Sequence, residues 1–298
     1  MSQVSRLTTP LQFIEYADEI FSNSDIFYGH GTDNAYDEAV YLVLRSLRIP
    51  FTVAEKDLHN NLSREQREML LQRIDKRVKE KVPVAYLVNE AWFCGHPFYV
   101  DNRVLIPRSP MGELIENSFI PWIEPGRVKR ILDIGTGSGS IAISCALAFP
   151  SSLVDAVDIS TAALEIARIN VHQYGLDDRV RIFPSDLYQQ LDGNQYDLII
   201  SNPPYVNAGE MSSLPLEYGY EPEAALLAGT DGLDYIRRII GGANQHLEPH
   251  GVLVVECGNS RLAVADAYPD LPFYWLEFEK GDDGVFLLQA DDLKHISV

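Results

Sequence analysis

Arg130-Ile131-Leu132-Asp133-Ile134-Gly135-Thr136-Gly137-Ser138-Gly139 decides the fold. A short apolar run enters a turn where glycine recurs at every second position, and a helical pattern follows over 139–148. Glycines in such a turn adopt positive φ and let a ligand approach the backbone closely. The spacing is Gly-x-Gly-x-Gly, so the Gly-x-Gly-x-x-Gly fingerprint of a dinucleotide site is only partly met. On its own the loop fits more than one class of nucleotide-bearing cofactor.

Outward from this turn the chain repeats the same grammar. Apolar runs predict strands at 130–134, 153–157, 179–183, 196–201, 251–256, 273–278 and 284–289, with helices at 139–148, 161–174 and 231–247. Alternation of this kind predicts an α/β, doubly wound, mostly parallel seven-stranded sheet. No helix pattern separates the last two runs, so the sheet is expected to end in a C-terminal antiparallel hairpin. That detail departs from a standard dinucleotide fold.

Polar residues follow these strands where open α/β sheets bind ligands. Asp133 precedes the glycines and suits either orienting the loop or binding an amino-acid moiety. Asp158 closes Val154-Asp155-Ala156-Val157-Asp158, where a carboxylate accepts ribose hydroxyls in either cofactor class. Asp186, in Pro184-Ser185-Asp186-Leu187, is placed to hold an adenine amino group, with Leu187 over the ring face. The fourth strand runs into Asn202-Pro203-Pro204-Tyr205. The Asn oxygen and a carbonyl of the stiff Pro-Pro backbone both accept from a planar NH2 group, and the tyrosine offers a flat face. A plain strand-to-loop turn explains the tetrapeptide equally well in isolation. Its place beside three aspartates at neighbouring strand ends favours the grip.

The first part of the chain reads differently. Leu11, Ile14, Ala17, Ile20 and Phe21 recur at helical spacing, as do Val40, Val43, Leu44 and Leu47. A third helix is expected from Ser63, with Gln66 completing a capping box. Its basic residues Arg64, Arg67, Arg73, Lys76, Arg77 and Lys79 read as a solvated face. Phe27-Tyr28-Gly29-His30-Gly31-Thr32-Asp33-Asn34 reads as a glycine-rich loop ending in a cap at Asp33 or Asn34. Residues 91–107 suggest a hairpin turning at Asp101-Asn102, and a further helix starts near Met111. The expected organisation is a helical domain at 1–90, a hairpin connector at 91–108 and an α/β domain at 109–298.

Asp-Ile-Gly-Thr-Gly-Ser-Gly at 133–139, Ser201-Asn202-Pro203-Pro204-Tyr205, Glu221-Pro222, Ala225-Leu226 and Gly229-Thr230-Asp231-Gly232-Leu233 together resemble a class I S-adenosylmethionine-dependent methyltransferase. Specifically they resemble the HemK/Prm protein-glutamine N-methyltransferases, over essentially the whole chain. Pro107-Arg108-Ser109-Pro110-Met111-Gly112-Glu113 and the 28–34 loop are similar to the PrmB branch, which acts on the third protein of the large ribosomal subunit. The resemblance implies S-adenosylmethionine as cofactor and methyl transfer to a glutamine side-chain amide. It implies catalysis at Asn202, Pro203 and Tyr205, and substrate contact through Asn202, Pro203, Pro204 and Tyr205. Cofactor contacts would come from Asp133, Gly135, Thr136, Gly137, Gly139, Asp158, Asp186, Leu187 and Asn202, and no metal is expected. Phe98 and Arg108 are candidates for closing the pocket.

A net charge of −19 disfavours a broad nucleic-acid groove and suits a basic protein partner, although acidity also serves solubility alone. Met1-Ser2-Gln3-Val4-Ser5-Arg6 lacks an apolar leader core, and no apolar run reaches membrane-spanning length, so a cytoplasmic location is expected. Cys94, Cys145 and Cys257 read as reduced buried thiols. The partner expected is a large-subunit ribosomal protein, with ribosomal RNA contact left open. The competing readings are release-factor glutamine methylation, DNA adenine-amino methylation, a nicotinamide-dependent dehydrogenase and a non-catalytic adaptor.

Overall fold

The computed structural model describes residues 7–191, 193–279 and 284–294. The N-terminal stretch read above as lacking a leader core lies outside them. The chain divides into two compact units, one of residues 1–91, 100–102 and 215–220, the other of 92–99, 103–214 and 221–298.

In the first unit, α1 (Pro10–Ser22) starts at a capping box in which Thr9 and Gln12 satisfy each other's backbone donors. Asn34 caps α2 (Ala35–Ser46) through the Asp37 N–H, and the expected Ser63–Gln66 box starts α3 (Arg64–Asp75). Phe13, Ile14, Ala17 and Phe21 pack with Leu42, Val43, Leu70 and Ile74. A single π-helical turn, Lys76–Glu80, continues α3 and turns Arg77 inward. Arg77 is thus not part of a solvated face, as the basic stripe suggested. Its Nε donates to Glu38 at 2.5 Å, one terminal nitrogen to Glu217 at 3.0 Å, and the other to the Phe27 carbonyl at 2.7 Å. Glu217 also accepts the Phe27 N–H at 2.8 Å. Burial pushes the Glu38 carboxyl above its ordinary range despite Arg77, whereas for Glu217 the Phe27 N–H and Arg77 outweigh burial and hold it low.

In the second unit, β1 (Ala91–Phe93) pairs with β2 (His96–Phe98). The hairpin turns at Cys94-Gly95, both at positive φ, and not at Asp101-Asn102. Residues 104–106 form no strand. The main sheet contains β3 (Arg130–Ile134), β4 (Leu153–Asp158), β5 (Val180–Pro184), β6 (Tyr196–Ser201), β7 (Leu247–Glu256), β8 (Tyr274–Leu276) and β9 (Val285–Gln289), in the order β5-β4-β3-β6-β7-β9-β8. β3 to β7 are parallel, and β9 is antiparallel to both its neighbours, so the expected terminal hairpin is present.

The helices in chain order are α4 (Val84–Val88) of the first unit, then α5 (Met111–Glu116), α6 (Ser140–Ala148), α7 (Thr161–Gln173), α8 (Ala208–Met211), α9 (Asp234–His246) and α10 (Arg261–Ala267). α10, between β7 and β8, was not expected; its seven residues carry too little periodicity to register. One core lies beneath α6, with Ile131, Ile143, Val154 and Leu198, and another beneath α9, with Leu132, Ile199, Ile239 and Leu253. Alternate residues of each strand therefore face opposite layers. Among the described residues no helix is long and apolar enough to cross a membrane.

Removing Arg77 leaves Glu38 and Glu217 buried without their cation. Arg77→Met is expected to cost about 3–5 kcal/mol in urea unfolding, with part recovered when Glu38→Leu and Glu217→Leu are added. An unchanged urea midpoint for the single variant would contradict this account of the first unit.

Candidate functional site

Strand order determines where the site lies. The chain moves from β3 outward to β4 and β5, then returns to place β6 on the other side of β3. Ile134 pairs with Val157 on one side and Ser201 on the other, while Asp158 pairs with Pro184. Four parallel strands therefore end level, and the loops after them share one edge.

A cavity of about 1120 Å³, counting its open mouth, occupies that edge. Gly135, Thr136, Gly137, Asp158, Asp186, Leu187, Asn202, Pro203 and Pro204 all line it. Asp133, Gly139 and Tyr205 are not among the lining residues. Phe98, a candidate for closing the pocket, is fully buried against Tyr174 instead.

The glycine loop is held by carboxylates on both sides. Asp133 is completely buried, and one of its oxygens accepts from Thr136 Oγ1 at 2.6 Å and the Ala142 N–H at 3.1 Å. Of its two proposed roles the geometry favours orienting the loop. Burial raises the Asp133 carboxyl to about 7, against the opposing hydrogen bonds. Asp158 accepts the Gly137 N–H at 2.9 Å and the Ser160 N–H at 2.8 Å, one on each oxygen. Each oxygen keeps acceptor capacity for a ribose hydroxyl. Burial raises the Asp158 carboxyl too, and those two N–H groups oppose it. Gly135 and Gly137 sit at φ +73° and +53°. Gly139 sits at φ +80°, and there an added Cβ would also approach Ala167 Cβ to 3.2 Å.

Residues missed by the sequence reading complete the walls. Ile159, two-thirds exposed after Asp158, adds an apolar side chain to the lining, and Tyr235 of α9 adds an aromatic one. Ile159 stood next to a flagged aspartate and was legible on that ground. Asp186 lines the cavity, but one oxygen accepts from Arg238 at 2.8 Å, which leaves only the rest of its acceptor capacity to any ligand. Asn170 is buried and ties the glycine loop to the end of the hairpin, donating to the Ser138 carbonyl at 2.8 Å and exchanging two hydrogen bonds with the Tyr99 backbone.

The remaining wall is the irregular segment 103–109. Arg108 pairs with Glu221 through two nitrogens at 2.5 and 2.7 Å, and Glu221 also accepts the Ile106 N–H at 3.0 Å. Pro222 and Ala225 follow Glu221 into the wall. Val206 then exchanges backbone hydrogen bonds with Leu226 and Ala228, which fixes the chain just past Tyr205. Among the described residues the Asn202 side chain forms no hydrogen bond, so its amide is available to a ligand. Burial pushes Cys94 to about 11 and Cys257 to about 12, and raises Cys145 well above its ordinary value. None of the thiols is a thiolate nucleophile at neutral pH.

Because the folded-state value for Asp133 lies above the unfolded one, its protonated form favours folding. That contribution is present at acid pH and is lost as pH rises from about 4 to about 7. Asp133→Asn, with no charge to bury, is expected to gain thermal stability relative to wild type across that window in melting curves. A difference that does not change with pH would contradict the buried-carboxyl account.

A family model described as "Methyltransferase small domain" matches residues 117–215. The chain is 47% identical over 297 residues to the ribosomal protein uL3 glutamine methyltransferase of Burkholderia pseudomallei, covering 97% of each. It is 46% identical over 288 residues to the protein of that name from Neisseria gonorrhoeae, covering 96% of each. The hMettl16 catalytic domain, solved in complex with a MAT2A 3'UTR hairpin, superposes with a TM-score of 0.50 at 15% identity, over 79% of this chain and 85% of that one. That likeness speaks to the fold alone. The extent and level of identity to the curated relatives show that the chain belongs to the family of ribosomal protein uL3 glutamine methyltransferases.

Proposed function

We propose that this protein transfers a methyl group from S-adenosylmethionine to the side-chain amide nitrogen of a glutamine in ribosomal protein uL3. The observation that carries the reading is the presence of Asn202, Pro203 and Pro204 in the same cavity wall system as Asp158 and the glycine loop. Asp158 and the glycine loop suit an adenosyl group, and Asn202 with the two prolines suits a planar amide. The curated relatives, named for this substrate, support the choice of uL3 over a release factor.

The residues fit the cofactor. Asp158 would hold the ribose hydroxyls, Ile159 and Leu187 the adenine faces, and the N–H groups of the glycine turn the more polar end. When bound, S-adenosylmethionine supplies an electrophilic methyl group on a sulfonium.

An amide nitrogen is a weak nucleophile because its lone pair is delocalised into the carbonyl. Asn202 Oδ1 and the Pro203 carbonyl would accept its two N–H bonds and fix the nitrogen's direction. Proline at 203 and 204 restricts φ, so the carbonyl does not swing away. Orientation of this sort replaces much of the activation entropy. As positive charge grows on nitrogen, the two oxygens stabilise it without reorganising. The methylated nitrogen is acidic and releases its proton to water, so no side chain has to serve as a strong base. A strongly acidic chain also suits encounter with a basic ribosomal protein, through steering that weakens with salt.

Asn202→Ala is expected to lower kcat by about a hundredfold or more in a labelled-methyl assay on uL3, with cofactor affinity little changed. Turnover near wild type would overturn the amide grip. Asp158→Ala should weaken cofactor binding in calorimetry, and unchanged affinity would remove Asp158 from the cofactor site.

A further inference from the structure

Glu256 closes β7, the neighbour of the strand that delivers Asn202. It is 6% exposed, and both carboxylate oxygens are engaged. One accepts from Ser109 Oγ at 2.5 Å and the other from Tyr205 Oη at 3.0 Å. Ser109 belongs to the cavity wall, and Tyr205 ends the tetrapeptide whose first three residues do. Glu256 itself is not among the lining residues. A carboxylate this buried is costly to keep unless its partners matter.

Tyr205 is enclosed at its other points. A Cβ on Gly258 would lie 2.5 Å from Tyr205 Cε2, so the ring rests directly on that backbone. The Tyr205 carbonyl accepts from Ser260 Oγ at 3.0 Å, and a Cβ on Gly232 would lie 2.5 Å from the same carbonyl oxygen. The hydroxyl is where the tyrosine is joined, through Glu256, to the segment 103–109. Ser109 Oγ in turn accepts the Met111 N–H at 3.2 Å, which anchors that segment to the start of α5.

We propose that Glu256 is a positioning residue for the reaction. It brackets Tyr205 to Ser109 and so sets the separation between the amide-accepting oxygens of Asn202 and Pro203 and the wall formed by 103–109. The inference rests on the amide-grip reading above and extends it. Tyr205 then serves as an anchor held by Glu256 outside the cavity wall, and not as a platform stacked on the amide. Only Pro204 separates Tyr205 from Pro203, so movement of the ring is passed to the Pro203 carbonyl. A misplacement of about 1 Å in such a site costs about a hundredfold in rate.

The bracket depends on length and on hydrogen-bonding capacity, and not on charge. Glutamine keeps both contacts: its carbonyl oxygen accepts from Tyr205 Oη, and its NH2 donates to Ser109 Oγ, which both donates and accepts. Aspartate, one methylene shorter, cannot reach both. A proton-accepting role would give the opposite ranking, because glutamine would then fail.

The test measures kcat, KM for uL3, the pH–rate profile, cofactor affinity and melting temperature for Glu256→Ala, Glu256→Asp, Glu256→Gln and Asn202→Ala in the full chain. Expected are losses in kcat of about 30–100-fold for Glu256→Ala and Glu256→Asp, with cofactor affinity within about twofold of wild type. Glu256→Gln should keep kcat within about threefold and the wild-type pH profile. The proposal is overturned if Glu256→Gln is as impaired as Glu256→Ala, or if Glu256→Ala keeps wild-type kcat. It is equally overturned if the Glu256→Ala loss follows a matching fall in melting temperature and cofactor affinity. An inactive Asn202→Ala beside a fully active Glu256→Ala sinks the bracket alone, whereas a fully active Asn202→Ala sinks the amide grip beneath it.

Discussion

The pairing of Ile134 with Val157 on one side and Ser201 on the other is the constraint from which the site follows. Parallel strands in this register must end together, and the reversal of strand order at β3 opens a crevice between the loops that leave β3 and β6. The glycine turn, Asp158 and Asn202 meet there because of backbone geometry, before any side chain is chosen. Antiparallel β9 lies beyond β7, and β8 forms that edge of the sheet.

A second layer of carboxylates holds the loops that the sheet releases. Asp133 and Asp158 pin the glycine turn from below and from the side, while Glu221 holds Arg108 and the Ile106 backbone. Glu256 joins Ser109 to Tyr205. The donors to these carboxylates come from other segments and not from their own strands, and Asp133 Oδ1 is left without a partner among the described residues. In the proposed mechanism, preorganisation of this kind would let weak acceptors such as Asn202 Oδ1 and a proline carbonyl act on an unreactive amide.

Much of this was legible in the sequence. Continuous apolar runs broken by glycine or aspartate mark buried parallel strands and their ligand-facing ends, which is why Asp158, Asp186 and Asn202 could be placed by pattern. The hairpin turn was misplaced because Asp101-Asn102 has the stronger turn composition, while the actual turn uses Cys94 at positive φ, a conformation its residue type does not advertise. Arg77 was misread for a similar reason: one π-helical turn moves a residue from the basic stripe into the core. Asn170 and Glu256 went unnoticed because their partners lie 71 and up to 147 residues away in sequence. Glu256 also ends a parallel strand, so the rule that found Asp158 would have found it had it been carried one strand further.

Mass spectrometry of purified uL3 after incubation with this protein and S-adenosylmethionine tests the central claim most directly. The account requires one methyl group, on the side-chain nitrogen of a single glutamine, and no incorporation into release factor or DNA under the same conditions. A methyl group on another residue type, or incorporation only into release factor or DNA, would contradict it.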